Sequence, residues 1–333
     1  MGAHVITARE LDKMGFYRLF LAVLVLFSHC AIKFPSYNQG VTAVISFLII
    51  SGYVITKLIS YKFPKKSDLK SFYIDRALRL FPQFIFYLII TSFLYLFFDG
   101  SGEISISQFL VNLIMLPLNT FAVYFNNYII VPQSWSLGLE LQFYLLIPFI
   151  LSGRRKVMWA ILSFALFVPA FAGLINTDYF GYRMLTGTLF IFLLGSMMAE
   201  GEKKSLWAFY IVSCVMLLFS LTVKNLSHEF NKEVLSGIVI GVPVVGLIFK
   251  INLKSKIDTL AGDLSYGVYL NHLMFFYIFN KMGFSVLSTS GALIILGSSL
   301  TMSYISLRLI EQPFYRMRHR KIRKDLPERQ ASK

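Results

Sequence analysis

Arg18 and His29 share one apolar stretch near the start of the chain, running from Phe16 to Cys30. In a helix their eleven-residue separation is about 1100° of rotation, which returns both side chains to within roughly 20° of one face and sets them about 16 Å apart along the axis. Charged and titratable groups inside a membrane segment are costly, so by default they mark a functional site. A guanidinium near one membrane face and an imidazole about three turns deeper suit an anion held at one end and proton chemistry at the other.

Three further constellations have the same character. Arg76 and Arg79, in Tyr73-Ile-Asp-Arg-Ala-Leu-Arg-Leu-Phe-Pro82, lie three apart on one helical face and would clamp phosphates as planar bidentate donors. They also read as anchors of the inner end of a span. Glu140, in Gln133-Ser-Trp-Ser-Leu-Gly-Leu-Glu-Leu-Gln-Phe-Tyr144, is the acid that falls well inside an expected span. A buried carboxylate needs a partner or a proton, and His29 lies at a compatible depth, so Glu140 is expected to orient that imidazole. Ser51-Gly52-Tyr53 is a small-residue patch that allows close approach of a helix or a ligand. His272 is the second intramembrane histidine and ranks below His29, because a lone histidine among apolar neighbours is usually a structural, hydrogen-bonded residue. No phosphate-binding glycine loop, nucleophile elbow or zinc-type His-Glu motif is present.

The elements that must position these residues follow from composition. The chain has 333 residues, 56% of them hydrophobic and 16% aromatic, with mean hydropathy +0.65. This is an all-α polytopic membrane protein rather than a soluble domain. About ten transmembrane helices are expected, near 16–32, 40–60, 80–98, 134–151, 157–175, 184–200, 206–223, 234–249, 264–282 and 290–310. With a cytoplasmic N-terminus, only Lys33, Arg183, Lys224, Lys232 and Lys281 of the 32 Lys and Arg fall on the outer side. That asymmetry is the positive-inside rule, and it puts both termini in the cytoplasm. The net charge of +15 is therefore a topology signal that favours anionic lipid over nucleic acid, above all in the basic tail 316–333. The apolar piece 109–125, broken by Pro117, is expected to be interfacial or re-entrant. The first run carries Arg18 and has no small-residue cleavage site, so it is expected to stay as a span. Cys30 and Cys214 are expected to be packed thiols, and two cysteines give no metal-site spacing.

The motifs in order, Arg18-x10-His29, Phe47-x3-Ser51-Gly-Tyr53, Tyr73-x2-Arg76-x2-Arg79-x2-Pro82, Gln133 to Tyr144, Ser265-Tyr-x2-Tyr-Leu-x-His272 and Glu311-x-Pro313, resemble the acyltransferase-3 family of integral membrane acyltransferases. The resemblance covers nearly the whole chain: residues 1–315 as the transmembrane domain, with 316–333 as a cytoplasmic tail. It implies a multi-pass enzyme of the bacterial inner membrane that moves an acyl group, most often acetyl, from cytoplasmic acyl-coenzyme A to a hydroxyl. The acceptors it implies are carbohydrates or glycolipids, such as the O-antigen of lipopolysaccharide, capsule, peptidoglycan precursors or secreted sugars. Acetyl-coenzyme A would be the co-substrate, with no metal. No appended extracytoplasmic domain is expected. Arg18, Arg76 and Arg79 would bind the coenzyme and His29 would be the general base supported by Glu140. Trp135, Ser51 and Tyr144 are the substrate-binding candidates. The common Asp-Gly-Leu-Arg-Gly start of the family is replaced here by Phe16-Tyr-Arg18-Leu. A transporter or flippase of lipid-linked glycan is the rival reading, disfavoured by a single embedded acid and few Pro-broken spans.

Overall fold

A bilayer offers no water to peptide groups, so a membrane chain closes its hydrogen bonds within each segment. The computed structural model describes residues 14–30, 32, 34–100, 104–153, 155–250 and 255–325, and among them no strand forms. The helices are α1 (Gly15–His29), α2 (Gln39–Lys62), α3 (Leu69–Asp99), α4 (Ile106–Ile114), α5 (Leu118–Tyr124), α6 (Trp135–Ser152) and α7 (Lys156–Phe171). They continue with α8 (Leu185–Glu200), α9 (Lys203–Thr222), α10 (Asn231–Lys250), α11 (Lys256–Lys281), α12 (Thr289–Ser306) and α13 (Gln312–Asp325). The protein is an all-α polytopic membrane protein. Among the described residues, 7 helices are long and apolar enough to cross a membrane, and α1 and α7 are shorter apolar helices. Each expected span falls on one helix. The expected span 264–282 falls on α11, which is not among the 7; its 26 residues include Asp258, Asp263 and His272. Exposed Phe93, Phe97, Leu218 and Phe219 would be a liability in water and form the lipid-facing surface here.

The boundaries differ from the sequence expectation in instructive places. The first span ends at His29 rather than 32, so the imidazole closes α1. The third helix begins at Leu69 rather than 80, which places Asp75, Arg76 and Arg79 inside it. The segment 109–125 is not a span, because α4 and α5 have 9 and 7 residues, far short of the ~20 a crossing needs. Their junction at Met115 has φ 63°, and the Met115 carbonyl packs against Gly138 of α6. The last span does not stop near 310: a π-helical turn, Leu307–Glu311, carries it into α13. The expected boundary at 315/316 falls within that helix, and residues 326–333 of the tail lie outside the described residues, as do Lys33 and Arg154. Cys30 and Cys214 form no disulfide.

The helix α2 is the axis of the bundle, packed on α1, α6, α8 and α10. Its contact with α8 depends on missing side chains. A Cβ on Gly52 would lie 1.8 Å from the Phe192 carbonyl oxygen, and one on Gly195 would lie 2.0 Å from that of Ile49. Such small-residue crossings let membrane helices reach each other's backbones. Gly52→Ala is therefore expected to lower stability by at least about 1–3 kcal/mol through overpacking, read as a lower unfolding temperature of the detergent-purified protein. Gly297→Ala is the control: nothing lies within 4 Å of its Cβ, and replacing a mid-helix glycine gains about 0.5–1 kcal/mol.

Candidate active site

The helices α1, α2, α3, α6 and α11 enclose an inner cavity of ≈ 150 Å³ bordered by Arg18, Arg76 and Arg79. All three expected phosphate-binding arginines thus meet in one place. Arg76 is buried and donates from Nε to Asp75 Oδ2 at 3.0 Å, with a second contact from Nη2. Arg79 donates to Glu311 and lies over the Tyr266 ring at 5.4 Å. The π-helical turn that ends at Glu311 delivers that carboxylate to Arg79. Such turns recur at functional sites because the extra residue re-aims a side chain. Asp75 also meets Lys62 Nζ at 3.1 Å and Arg318 Nε at 3.6 Å. Cations outnumber carboxylates here, so this end of the bundle is electropositive.

Glu140 lines the same cavity. It accepts from Ser51 Oγ at 2.6 Å and from the Tyr144 hydroxyl, and Arg76 lies over the Tyr144 ring at 5.8 Å. Ser51, Glu140 and Tyr144 are therefore one hydrogen-bonded group on the arginine side.

A second, outer cavity of ≈ 170 Å³ is bordered by His29, Trp135, Tyr182, Arg183 and Gln133. The structure does not bring Glu140 to His29: the two line different cavities. The reason is helical rise, since Glu140 lies about 7.5 Å further along α6 than Trp135, and it is Trp135 that reaches the His29 side. His272 packs against His29, with ring centroids 5.4 Å apart and planes at 29°. His272 is buried, and its Nδ1 lies 3.1 Å from the Val268 carbonyl oxygen. A hydrogen bond to that carbonyl requires a proton on Nδ1. Trp135 is fixed by Arg183, whose guanidinium carbon is 4.8 Å from the indole centroid. Arg183 is held in turn by Asp178 at 2.7 Å and 2.9 Å. Arg183, stacked over the indole, and Trp135 give this cavity a cationic and an aromatic lining.

The two cavities have Val44 and Tyr269 in common. Ser265, Tyr269 and His272 recur along one face of α11 at the spacing that a helix aligns, the signal that would have drawn Tyr269 and His272 forward from the sequence. Asp75 and Glu311 escaped it because the third span was begun too late and the last ended too early. Among the described residues, no group of three His, Cys, Asp or Glu is placed to hold a metal ion.

A family model described as an acyltransferase domain, that of the acyltransferase-3 family, matches residues 13–308. The chain belongs to the acyltransferase-3 family. A relative in Aquifex aeolicus (strain VF5), whose name states no function, is 32% identical over 200 residues, 57% of this chain and 90% of that protein. The O-acetyltransferase OatA of Staphylococcus aureus (strain NCTC 8325 / PS 47) is 30% identical over 153 residues, 43% of this chain. The match spans 25% of OatA's length. No solved structure matches the chain.

Proposed function

We propose that this protein moves an acyl group, acetyl in the first instance, from cytoplasmic acyl-coenzyme A to a hydroxyl of a cell-surface or exported carbohydrate, in the bacterial inner membrane. The observation that carries the reading is the pair of abutting cavities, one lined by Arg18, Arg76 and Arg79 and the other by His29 and Trp135. In this reading both termini are cytoplasmic, which sets the arginines on the side where acyl-coenzyme A is found. The coenzyme phosphates pair with the arginines, and an extended pantetheine arm spans roughly the 16 Å of helical rise between Arg18 and His29.

The acceptor sugar stacks on Trp135 and presents its hydroxyl to His29. His29 takes the hydroxyl proton as the oxygen attacks the thioester carbonyl; the C–S bond breaks, and the sulfur leaves as the coenzyme thiol after gaining a proton. Glu140, held by Ser51 and Tyr144 on the donor side, is assigned to the leaving sulfur rather than to His29. Both Ser51 and Tyr144 then act on the donor half of the reaction.

The test is transfer of labelled acetyl from acetyl-coenzyme A to glycans in membranes that express the protein, against membranes that lack it. Label in both alike would overturn the reading. Thermal stabilisation of the purified protein by acetyl-coenzyme A separates it from glycan transport, which needs no such ligand. Arg18→Gln is expected to raise KM for acetyl-coenzyme A about ten- to a hundredfold with little change in kcat. A charged hydrogen bond contributes about 1.5–3 kcal/mol, and a group remote from the reacting carbon stabilises ground and transition states equally.

A further inference from the structure

Val44 and Tyr269 border both cavities, and both are buried. Val44 comes from α2 and Tyr269 from α11, so the residues common to both chambers stand on two helices rather than on a loop. The Tyr269 ring sits between Phe47, 6.0 Å away edge-on, and His272, 6.2 Å away. Its hydroxyl shares a 2.7 Å hydrogen bond with Ser136 Oγ and donates to the Gln133 carbonyl at 3.2 Å. Ser136 lines the inner cavity and Gln133 the outer one. One phenol thus lines both chambers and is hydrogen-bonded to a residue of each.

We propose that Tyr269, backed by Val44, is the septum that decides whether the donor carbonyl meets an acceptor hydroxyl or water. The proposal rests on the acyl-transfer reading given above. The closed ring keeps the outer chamber away from the thioester. Turning the ring about χ1 breaks two hydrogen bonds and joins the chambers, so that His29 and the acceptor reach the carbonyl. A thioester exposed to water without an acceptor hydrolyses: water oxygen bonds to the carbonyl carbon, the C–S bond breaks, and acetate and the coenzyme thiol leave. Excluding that side reaction is a known use of a closed site.

The experiment measures how each variant divides labelled acetyl-coenzyme A between acetylated glycan and free acetate. Tyr269→Ala is expected to raise the acetate-to-transfer ratio at least about tenfold, equivalent to ~1.4 kcal/mol between competing barriers. Val44→Ala should move it in the same direction by less. Tyr269→Phe keeps the ring and is expected to stay within a factor of about three of the wild type. A Tyr269→Ala protein that turns over donor with the wild-type ratio would overturn the proposal, as would a Tyr269→Phe protein that leaks as much as Tyr269→Ala.

A second readout does not depend on catalysis. In a Cys30→Ser, Cys214→Ser background, Val54→Cys puts a thiol on the inner cavity. A small charged methanethiosulfonate, added to sealed vesicles of either orientation, should reach it only from the arginine side. With Tyr269→Ala it should react from both sides. Reaction from both sides with Tyr269 in place removes the septum, and reaction from one side with Tyr269→Ala places the barrier elsewhere. If no acetyl is transferred by the wild type, the enzymatic reading fails while this labelling still decides the partition.

Discussion

Replacing His29 by alanine is expected to cut acetyl transfer by about 10²- to 10⁴-fold, the usual contribution of a positioned proton acceptor, while acetyl-coenzyme A still binds. The two halves of this expectation separate because the cavities do. His29 borders the outer chamber, and the arginines border the inner one. Donor binding, read as thermal stabilisation by acetyl-coenzyme A, should therefore survive the substitution at matched expression. Loss of both together would mean that α1 has lost its place in the bundle, and undiminished transfer would take the role of base from His29. His272→Ala supplies the comparison. Its ring packs on His29 at 5.4 Å, and its removal should weaken transfer without erasing it, because it acts through the orientation of its neighbour. Cys30→Ala should leave transfer intact, since Cys30 lies about 100° around the helix from His29.

The second large effect falls on stability. Asp75→Asn is expected to destabilise the protein by about 3–5 kcal/mol, the cost of stripping the partner from a buried ion pair. Asp75 is 0% exposed and is the common counter-ion of Arg76, Lys62 and Arg318, joining α2, α3 and α13 at one point. Without it, three cations face one another in a site that lipid and protein shield from water. The measurement is the unfolding temperature in detergent, set beside Asp99→Asn. Asp99 pairs with Lys281 at an exposed position, where loss of an ion pair has little effect. Equal shifts for the two variants would show that Asp75 is no more than a surface anchor. Arg318, in the expected basic tail, thus makes a tertiary contact with Asp75.

Much of the architecture was legible because it depends on properties that a sequence carries locally. Apolar runs bounded by charge announce the helices. Helical period alone puts Arg18 and His29 on one face of α1, and Arg76 and Arg79 on one face of α3. Arg18 meets Arg76 and Arg79 at the inner cavity, while His29 borders the outer one.

What period cannot supply is the rotation of one helix against another. That is set by contacts such as Gly52 on the Phe192 carbonyl and Gly15 on the Asp258 carbonyl, whose partners are far apart in the chain. Depth and sign matched Glu140 to His29, yet the tertiary structure gives Glu140 to Ser51 and Tyr144, and gives His29 to His272. It also decides that Tyr269 borders both chambers, and that Asp75, buried, and Glu311, half-buried, are counter-ions rather than residues at span ends. The sequence by itself determined which side chains share a face and how deep each lies within its own helix. Only the packing of α1, α2, α3, α6 and α11 decided which faces look at each other, because that follows from where backbones can touch.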